Sequence, residues 1–456
     1  MRSLILAVAL TLGAAAAGAQ GLHFGRTTSL SPFWRELEDN TLSQLVQEAL
    51  QANADVHVAA ARLTSTRASR RLAALDLLPS VTATGSAARQ QLSIAQLPGL
   101  TRQLPQQQLW DAGFDASWEL DVFGRLTRNV RAQGAIVESA EHGLADMEVS
   151  IAAEVARTYF ELRGAQQQLA VALRNAENQR HTVKLTEDRL AAGRGTAFDT
   201  ERARSVLFLT LAATPALEAQ IVQHRQRIAT LLGRAANELP AALLDSGPLP
   251  HLPDTLHIGS AEEIVKQRPD VLSAERRVAA QQLFVGVARS EYLPRLTLGA
   301  RAGYVATTFD SLGRVGTSRL LVGPVLSWPL FDLGRVRQRV DVAHAEEDAA
   351  QAEYRGTLLS AVEETESARV SYERAHVRVA ILDQAVQSSA RAAALAQQRF
   401  EAGLTDFLQV LDAQRTLLEA ENQLALGHTA AATALIAVYK AVGGMWPGRS
   451  IDDVRK

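Results

Sequence analysis

The chain repeats itself, and this repetition limits its fold more than any other feature. Asp55 matches Asp270 and Leu78-Pro79 matches Leu293-Pro294, both at an offset of 215 residues. Gly124, Gly193 and Gly233 match Gly334, Gly403 and Gly443, now at an offset of 210. One change of register, five residues long, therefore falls between Pro79 and Gly124. Agreement at so many landmarks marks a tandem duplication, so the unit built by the first half is built again by the second.

Each half predicts the same series of elements. Residues 41–77 and 260–292 read as helices that end at a Leu-Pro, because proline forces its predecessor out of the helical region. Alternation follows: Phe114, Ala116, Trp118, Leu120 and Val122 are apolar, with Asp115, Ser117, Glu119 and Asp121 between them. Leu296, Leu298, Ala300, Ala302 and Tyr304 repeat the pattern around Arg295 and Arg301. A period of two describes strands with one apolar and one polar face. Residues 81–87 and 320–330 are their weaker partners, giving one hairpin per half, and the five extra residues lengthen the first hairpin loop around 97–108.

Residues 131–192 and 335–402 contain no proline and little glycine. In the first run a seam from Leu144 through Met147, Ile151, Val155, Thr158, Leu162, Ala165, Leu169, Leu173, Ala176, Arg180, Val183 and Glu187 to Leu190 has the spacing of a coiled coil. Sixty helical residues extend roughly 90 Å, far beyond a globular helix. Each run stops at a glycine, Gly193 or Gly403, and a second helix returns over 196–232 or 406–442. In the stretch RFEAGLTDFLQVLDAQR, residues 399–415, Gly403 reads as a helix end, Leu404-Thr405 as a turn, and Thr405 or Asp406 as the next N-cap. Pro215, inside the first returning helix, predicts a kink or local break. Each long helix is expected to pack against two shorter ones placed end to end. The expected organisation is a signal peptide at 1–19, a first repeat at 20–246, a proline-rich linker at 247–259, a second repeat at 260–446 and a tail at 447–456.

Composition narrows function and place. Lys and Arg number 47 against 49 Asp and Glu, so no global basic surface points to nucleic acid. Met1-Arg2, an apolar segment to Leu12 and Ala17-Gly18-Ala19 read as a secretory signal. Beyond it no 18 consecutive apolar residues occur, so no spanning helix is expected. With no cysteine there is no disulfide framework, no thiol catalysis and no acceptor for an N-terminal lipid. No HExxH pattern and no phosphate-cradling loop is present, so neither enzyme activity nor cofactor nor metal is expected.

Period-two strands in an exported chain suggest an outer-membrane β-barrel. Four strands cannot close one, and an open edge in lipid leaves backbone groups unpaired, so the strands must be shared among copies. Asp115, Glu119, Asp121, Arg295 and Arg301 would then line the lumen, and Trp118, Trp328 and Tyr304 would form an aromatic girdle. A soluble sandwich, or a hairpin packed on helices, satisfies the same alternation.

At this point the sequence resembles the TolC-like outer-membrane factors of tripartite systems, in the multidrug efflux duct branch. The resemblance is carried by SWELDVFGR at 117–125, LSWPLFDLGR at 326–335, residues 399–415 and YKAVGGMW at 439–446, with Arg268-Pro-Asp-Val and Glu291-Tyr-Leu-Pro. It spans nearly the whole mature chain. It implies a mainly α fold with a membrane β-barrel portion: a homotrimer whose twelve shared strands form one barrel and whose helices form a tunnel across the periplasm. It also implies outer-membrane lipid around the barrel, a periplasmic adaptor at the tips and an inner-membrane pump of the RND type. Residues 26–39 and 238–259 would form a belt around the tunnel. This chain departs from the family in lacking an N-terminal cysteine, in having Asn53-Ala where Asn-Pro is usual, and in the extra glycine of Gly193-Arg194-Gly195-Thr196.

The resemblance places Leu408 and Asp412, four apart on one helical face, at the periplasmic aperture. Asp406 is expected to cap its helix. Arg202 is the counterpart of Asp412, and Arg202 or Arg204 paired with Asp412 would latch the closed state. Gly193 and Gly403 mark the hairpin tips where an adaptor would dock. The alternative function is a periplasmic coiled-coil adaptor, which is expected to carry one helical hairpin flanked by small β domains.

Overall fold

A computed structural model describes residues 34, 37–91, 105–244, 247, 249, 252–253 and 264–444. The stretch 1–19 expected to be a signal peptide, most of the 26–39 segment, residues 97–104 of the first hairpin loop and the tail at 447–456 lie outside the described residues. The elements are α1 (Asn40–Ala52), α2 (Ala54–Leu75), β1 (Ser80–Gln90), β2 (Gln107–Leu120), α3 (Arg125–Ala191), α4 (Ala197–Leu231), α5 (Pro269–Ser290), β3 (Arg295–Ala306), β4 (Ser318–Ser327), α6 (Leu333–Glu401) and α7 (Phe407–Ala441).

The duplication is written into these bounds. Helix α2 shifted by 215 gives the bounds of α5, and α4 shifted by 210 gives those of α7. Residues 91–106 join β1 to β2 and residues 307–317 join β3 to β4, sixteen against eleven, so the five-residue difference sits in the hairpin loops.

The stretch 41–77 is two helices rather than one. Asn53 leaves the helix with φ −67° and ψ 132°, and its Oδ1 accepts from the backbone N–H of Asp55 and Val56, which caps α2. Its Nδ2 donates across to the carbonyl of Leu231, 3.0 Å away, where α4 ends. Helices α4 and α2 are thus joined end to end along α3, as expected. In the second half the expected helix 260–292 is interrupted at Arg268 and resumes with Pro269, whose missing N–H suits the first helical turn. The Arg268 guanidinium donates to the carbonyl of Ala441, the counterpart of Leu231, at 3.0 Å.

Of the kink or local break expected at Pro215, the break is absent, and α4 runs through it. Its ring removes the N–H that would satisfy the carbonyl of Leu211, and the Thr214 hydroxyl donates to that carbonyl instead at 2.8 Å. Most of the α3 seam is covered, but Leu173, Arg180 and Leu190 are exposed, so the seam loosens toward the tip. Helices α4 and α7 are also long and apolar enough to cross a membrane, which a search for unbroken apolar runs missed. Both instead return along α3 and α6.

The four strands form one antiparallel sheet in the order β1-β2-β3-β4, joined between the halves by β2 and β3. Asp121 and Val122 fall outside β2, which ends at Leu120. One face carries Val81, Phe114, Trp118, Leu298, Tyr304, Leu320, Val322 and Leu326, all exposed. The largest core cluster lies at mid-height. It joins Leu42, Leu45 and Val46 of α1, Val149 to Leu162 of α3, Ile228 and Leu231 of α4, and Leu435, Ile436 and Tyr439 of α7. Belt residues close over it: Trp34 meets Tyr439 edge-on at 6.4 Å, and Arg163 and Gln166 donate to the carbonyls of Ala242 and Leu243. Tyr372 donates to the carbonyl of Pro253.

Candidate functional site

The site is built from two ends of one long body, the sheet and the helical tips. At the sheet, the polar residues of alternate positions share a face. Arg301 stands opposite Asp115 in register, with Nε 3.8 Å from its carboxylate. Glu119 accepts two bonds from Arg125, at 3.0 and 2.8 Å, and Arg295 lies 3.5 Å from Glu291. Asp121 has a different position from the other four. Its carboxylate accepts from the backbone N–H of Leu126 and Thr127 and from the Thr127 hydroxyl, so it caps the start of α3.

Sequence reasoning passed over the strongest ion pair on this face. Arg319 reaches Asp111 through two contacts of 2.8 Å, although it stands opposite Gly303 rather than Asp111. The side chain crosses a place where the backbones nearly touch. A Cβ on Gly113 would lie 2.5 Å from the carbonyl oxygen of Ala302, and one on Gly303 would lie 2.4 Å from that of Ala112. Only glycine fits that approach, and the paired glycines leave open the surface over which Arg319 lies. An Asp and an Arg in alternating strands at odd offsets gave the available signal.

On the apolar face Trp118 and Trp328 donate their indole N–H to the carbonyls of Leu77 and Tyr292, at 2.9 and 3.0 Å. Both therefore sit where the helices hand over to the strands, one in each repeat. Tyr304 lies six residues along β3 from Leu298, the partner of Trp118, or roughly 20 Å toward the opposite rim. Trp110, not singled out from sequence, stands near that rim and meets Phe309 edge-on at 5.2 Å.

At the tips the glycines earn their place by geometry. Gly193 and Gly403 take φ of +71° and +73°, which end the long helices. The N–H groups of Arg194 and Leu404 reach back to the carbonyls of Arg189 and Arg399, each at 2.8 Å. Thr196 and Asp406 then cap α4 and α7 by accepting from the N–H of Asp199 and Gln409. Phe400 and Phe407 close the second tip with ring centroids 5.3 Å apart. Arg189 ties the two tips together: its guanidinium lies 4.1 Å from the Phe400 ring and donates to the Phe400 carbonyl. No sequence motif marked that residue.

Leu408 and Asp412 are both exposed on α7, while Phe407, Val410 and Leu411 turn inward. Asp412 pairs with Arg415 at 2.9 Å and lines a furrow of about 430 Å³ between α6 and α7 with Ser388, Ser389, Gln409 and Thr416. Within one chain Arg204 is held by Glu187 and Glu201, both at 2.7 Å, and Arg202 lies 5.9 Å from the Phe198 ring. Among the described residues of a single chain, neither arginine pairs with Asp412.

The architecture agrees with what the chain is similar to. The sequence profile described as "outer membrane efflux protein" matches residues 45–234 and 261–444, which is both repeats. The pyoverdine export outer membrane protein OpmQ of Pseudomonas putida is 31% identical over 427 residues, covering 92% of this chain and 89% of its own. The solved structure of the outer-membrane channel OprN superposes with a TM-score of 0.85 at 39% identity, over 91% of this chain and 92% of that one. The outer membrane protein VceC of Vibrio cholerae superposes with a TM-score of 0.83 at 25% identity, over 91% and 98%. The two hairpins and shared sheet match these channels, not an adaptor with one hairpin between β domains.

Proposed function

The chain belongs to the outer membrane efflux protein family, and we propose that three copies form a passive exit duct for small molecules delivered from the periplasmic side. The observation that carries this reading is the open sheet. Strands β1 and β4 each have one unpaired edge among the described residues, and the sheet's apolar face is exposed. In lipid those edges need partners, and further copies supply them. The helices extend the same wall, so the lumen of the barrel continues into a tunnel. No chemistry is required of the protein. An inner-membrane pump supplies the energy and a periplasmic adaptor docks at Gly193 and Gly403.

At the tunnel mouth, Leu408 narrows the opening by packing and Asp412 sets a ring of carboxylates. Arg202 and Arg204 face the neighbouring copy's tip and pair with Asp412 when the mouth is shut, a contact that solvent screening keeps weak. A weak latch suits a mouth opened by a partner. Outer-membrane fractions analysed on detergent gels are expected to show an oligomer that heat converts to monomer. Recovery of a soluble periplasmic monomer would overturn the duct. In planar bilayers Asp412→Ala and Leu408→Ala are expected to raise single-channel conductance, and wild-type conductance in both would place the aperture elsewhere.

A further inference from the structure

Where the helices meet the strands, the arginines on the two sides of the wall differ in their partners. Toward the polar face of the sheet, Arg125 holds Glu119, Arg295 and Arg339 hold Glu291, and Arg335 holds Asp332. Arg71, Arg128, Arg131 and Arg337 lie at the same level, and among the described residues none of these four pairs with a carboxylate.

Their faces follow from the helix repeat. On α3, Gly134 and Glu141 look toward α2, where they meet Arg70 and Arg67, while Arg128 and Ser139 look toward α5, where they meet Gly286 and Ser273. Of the two faces left, one carries Arg125, which turns back to the polar side of the sheet. The other carries Arg131 and, five turns further on, Val149, which shares the core cluster with Leu42 and Leu45 of α1. Arg131 therefore stands on the side of the sheet's apolar face. Arg337 is the counterpart of Thr127, one turn before Arg131, and α6 presents it the same way. On α2, Arg71 precedes Leu75 by one turn. Leu75 and Leu78 are both exposed, beside the Leu77 carbonyl that holds the Trp118 indole.

The two repeats bring a guanidinium to one spot by different routes. The counterpart of Arg71 on α5 is Gly286, where a Cβ would lie 3.0 Å from Cδ of Arg128. Arg128 lies over that glycine and donates from Nη1 to the Phe123 carbonyl and the Ser290 hydroxyl, at 2.8 and 3.0 Å. Among the described residues this leaves its Nε and Nη2 for another acceptor. On α6 the counterpart of Arg131 is Asp341, which accepts from Gln338 at 3.2 Å. The outward face keeps a cationic surplus.

Directly above these cations the wall is apolar, with Trp118, Leu326, Trp328 and Leu330 exposed. Arg71, Arg128 and Arg337 stand roughly 5–6 Å, and Arg131 roughly 9 Å, from the strand-side ends of their helices. The polar layer on each side of a bilayer's hydrocarbon is about 5–8 Å deep. Arginine stems lie along apolar surface while their heads stay wet, so all four reach that layer.

We propose that Arg71, Arg128, Arg131 and Arg337 form a collar that binds the phosphates of anionic phospholipids in the periplasmic leaflet of the outer membrane. This rests on the sheet lying in lipid, as in the duct proposed above. A guanidinium meets a phosphate with paired N–H donors, which a carboxylate-free arginine has to offer. An acidic protein partner would meet the same charge, but it would not account for cations that stop at a row of indoles and an exposed apolar band.

Native mass spectrometry of the purified particle, with phosphatidylglycerol or phosphatidylcholine added to the detergent, reads the site directly. The wild type is expected to bind phosphatidylglycerol about tenfold more tightly at low salt, with the difference shrinking at high salt. Arg71→Gln with Arg131→Gln and Arg337→Gln is expected to bring the two lipids within about twofold of each other, while the same three changed to lysine keep most of the preference. Arg355 is exposed five turns beyond Arg337 on the same face of α6, roughly 27 Å away, so Arg355→Gln is expected to change nothing. A wild type without preference, a preference that salt does not weaken, or a triple glutamine variant that keeps it overturns the collar. An equal loss in Arg355→Gln overturns it too, because net charge then suffices. Should the triple variant fail to assemble, the salt dependence of the wild type decides. If the collar fails while outer-membrane fractions still yield a heat-sensitive oligomer, the duct reading stands; a soluble periplasmic monomer removes both.

Discussion

Arg268 and Asn53 occupy the same place in the two repeats and solve the same problem with different chemistry. Each fills the junction where one helix ends and the next begins, and each donates to the last carbonyl of the returning helix. Arg268 adds Asp270 and Glu364 at 2.7 and 2.8 Å with its own side chain buried. Arg268→Ala breaks the partly buried pair with Asp270, leaving that carboxylate the Val271 N–H and the Ala441 carbonyl the Thr365 hydroxyl, and about 3 kcal/mol of stability is expected to be lost. Asn53→Ala removes a cap and one buried bond, with a loss of about 2 kcal/mol. Both are read from urea unfolding midpoints of the detergent-solubilised protein. Asp146 stands beside this junction. Burial pushes its carboxyl above the usual aspartate range, and the nearby Asp270 and Glu364 add to that against the opposing Arg268 and Lys440. Because the folded state binds this proton more tightly than the unfolded chain, its contribution to stability is complete below the ordinary aspartate value near 4. It is lost as pH rises through the raised folded value. Asp146→Asn is therefore expected to unfold at a higher urea concentration than wild type at pH 7, with the gap vanishing below about pH 4. An unchanged gap across that range would remove Asp146 as the cause.

Among the elements, the paired long helices and their returns were legible because proline, glycine and the coiled-coil spacing act locally. The broken helices were not, since Asn53-Ala54 reads as helical in isolation. Pro269 carried the missing signal: proline belongs in a first helical turn, and projecting it back by 215 residues marks Ala54 as the first residue of α2. Pro215 misled for the opposite reason, because its orphaned carbonyl is rescued by Thr214, and side-chain rescue depends on rotamer rather than composition. Pro215→Ala restores a backbone bond in an unbroken helix and is expected to stabilise the protein by about 1–3 kcal/mol, measured as above. At the tips, the resemblance singles out Leu408 and Asp412, whose proposed role awaits the conductance measurement, whereas Arg189 and Arg319 owe their positions to tertiary reach onto α6 and across Gly303. Where α3 crosses α7, Gly164→Ala drives a methyl into Thr429, and a loss of about 1–3 kcal/mol is expected from overpacking.

For the whole molecule, the polar face of the sheet carries paired charges of both signs, Asp111 with Arg319 and Asp115 with Arg301. Lining a pore, as proposed, such a face would discriminate weakly between anions and cations. Removing both carboxylates, by Asp111→Asn with Asp115→Asn, leaves the arginines unbalanced in every copy. The reversal potential in a salt gradient is expected to move toward that of chloride, and no movement would mean that this face does not line the pore. The indoles of Trp118 and Trp328 fasten each repeat's helices to its strands at one level of the molecule. From there α3 runs 67 residues to its tip, a lever of roughly 100 Å. Mechanical advantage follows from that length. Tilting such an arm by about 3° at its fixed end sweeps the tip through roughly 5 Å, close to the rise of one helical turn. On the duct reading proposed above, a partner pulling at the tips would work with a long arm, and the mouth would open while the sheet end scarcely moved.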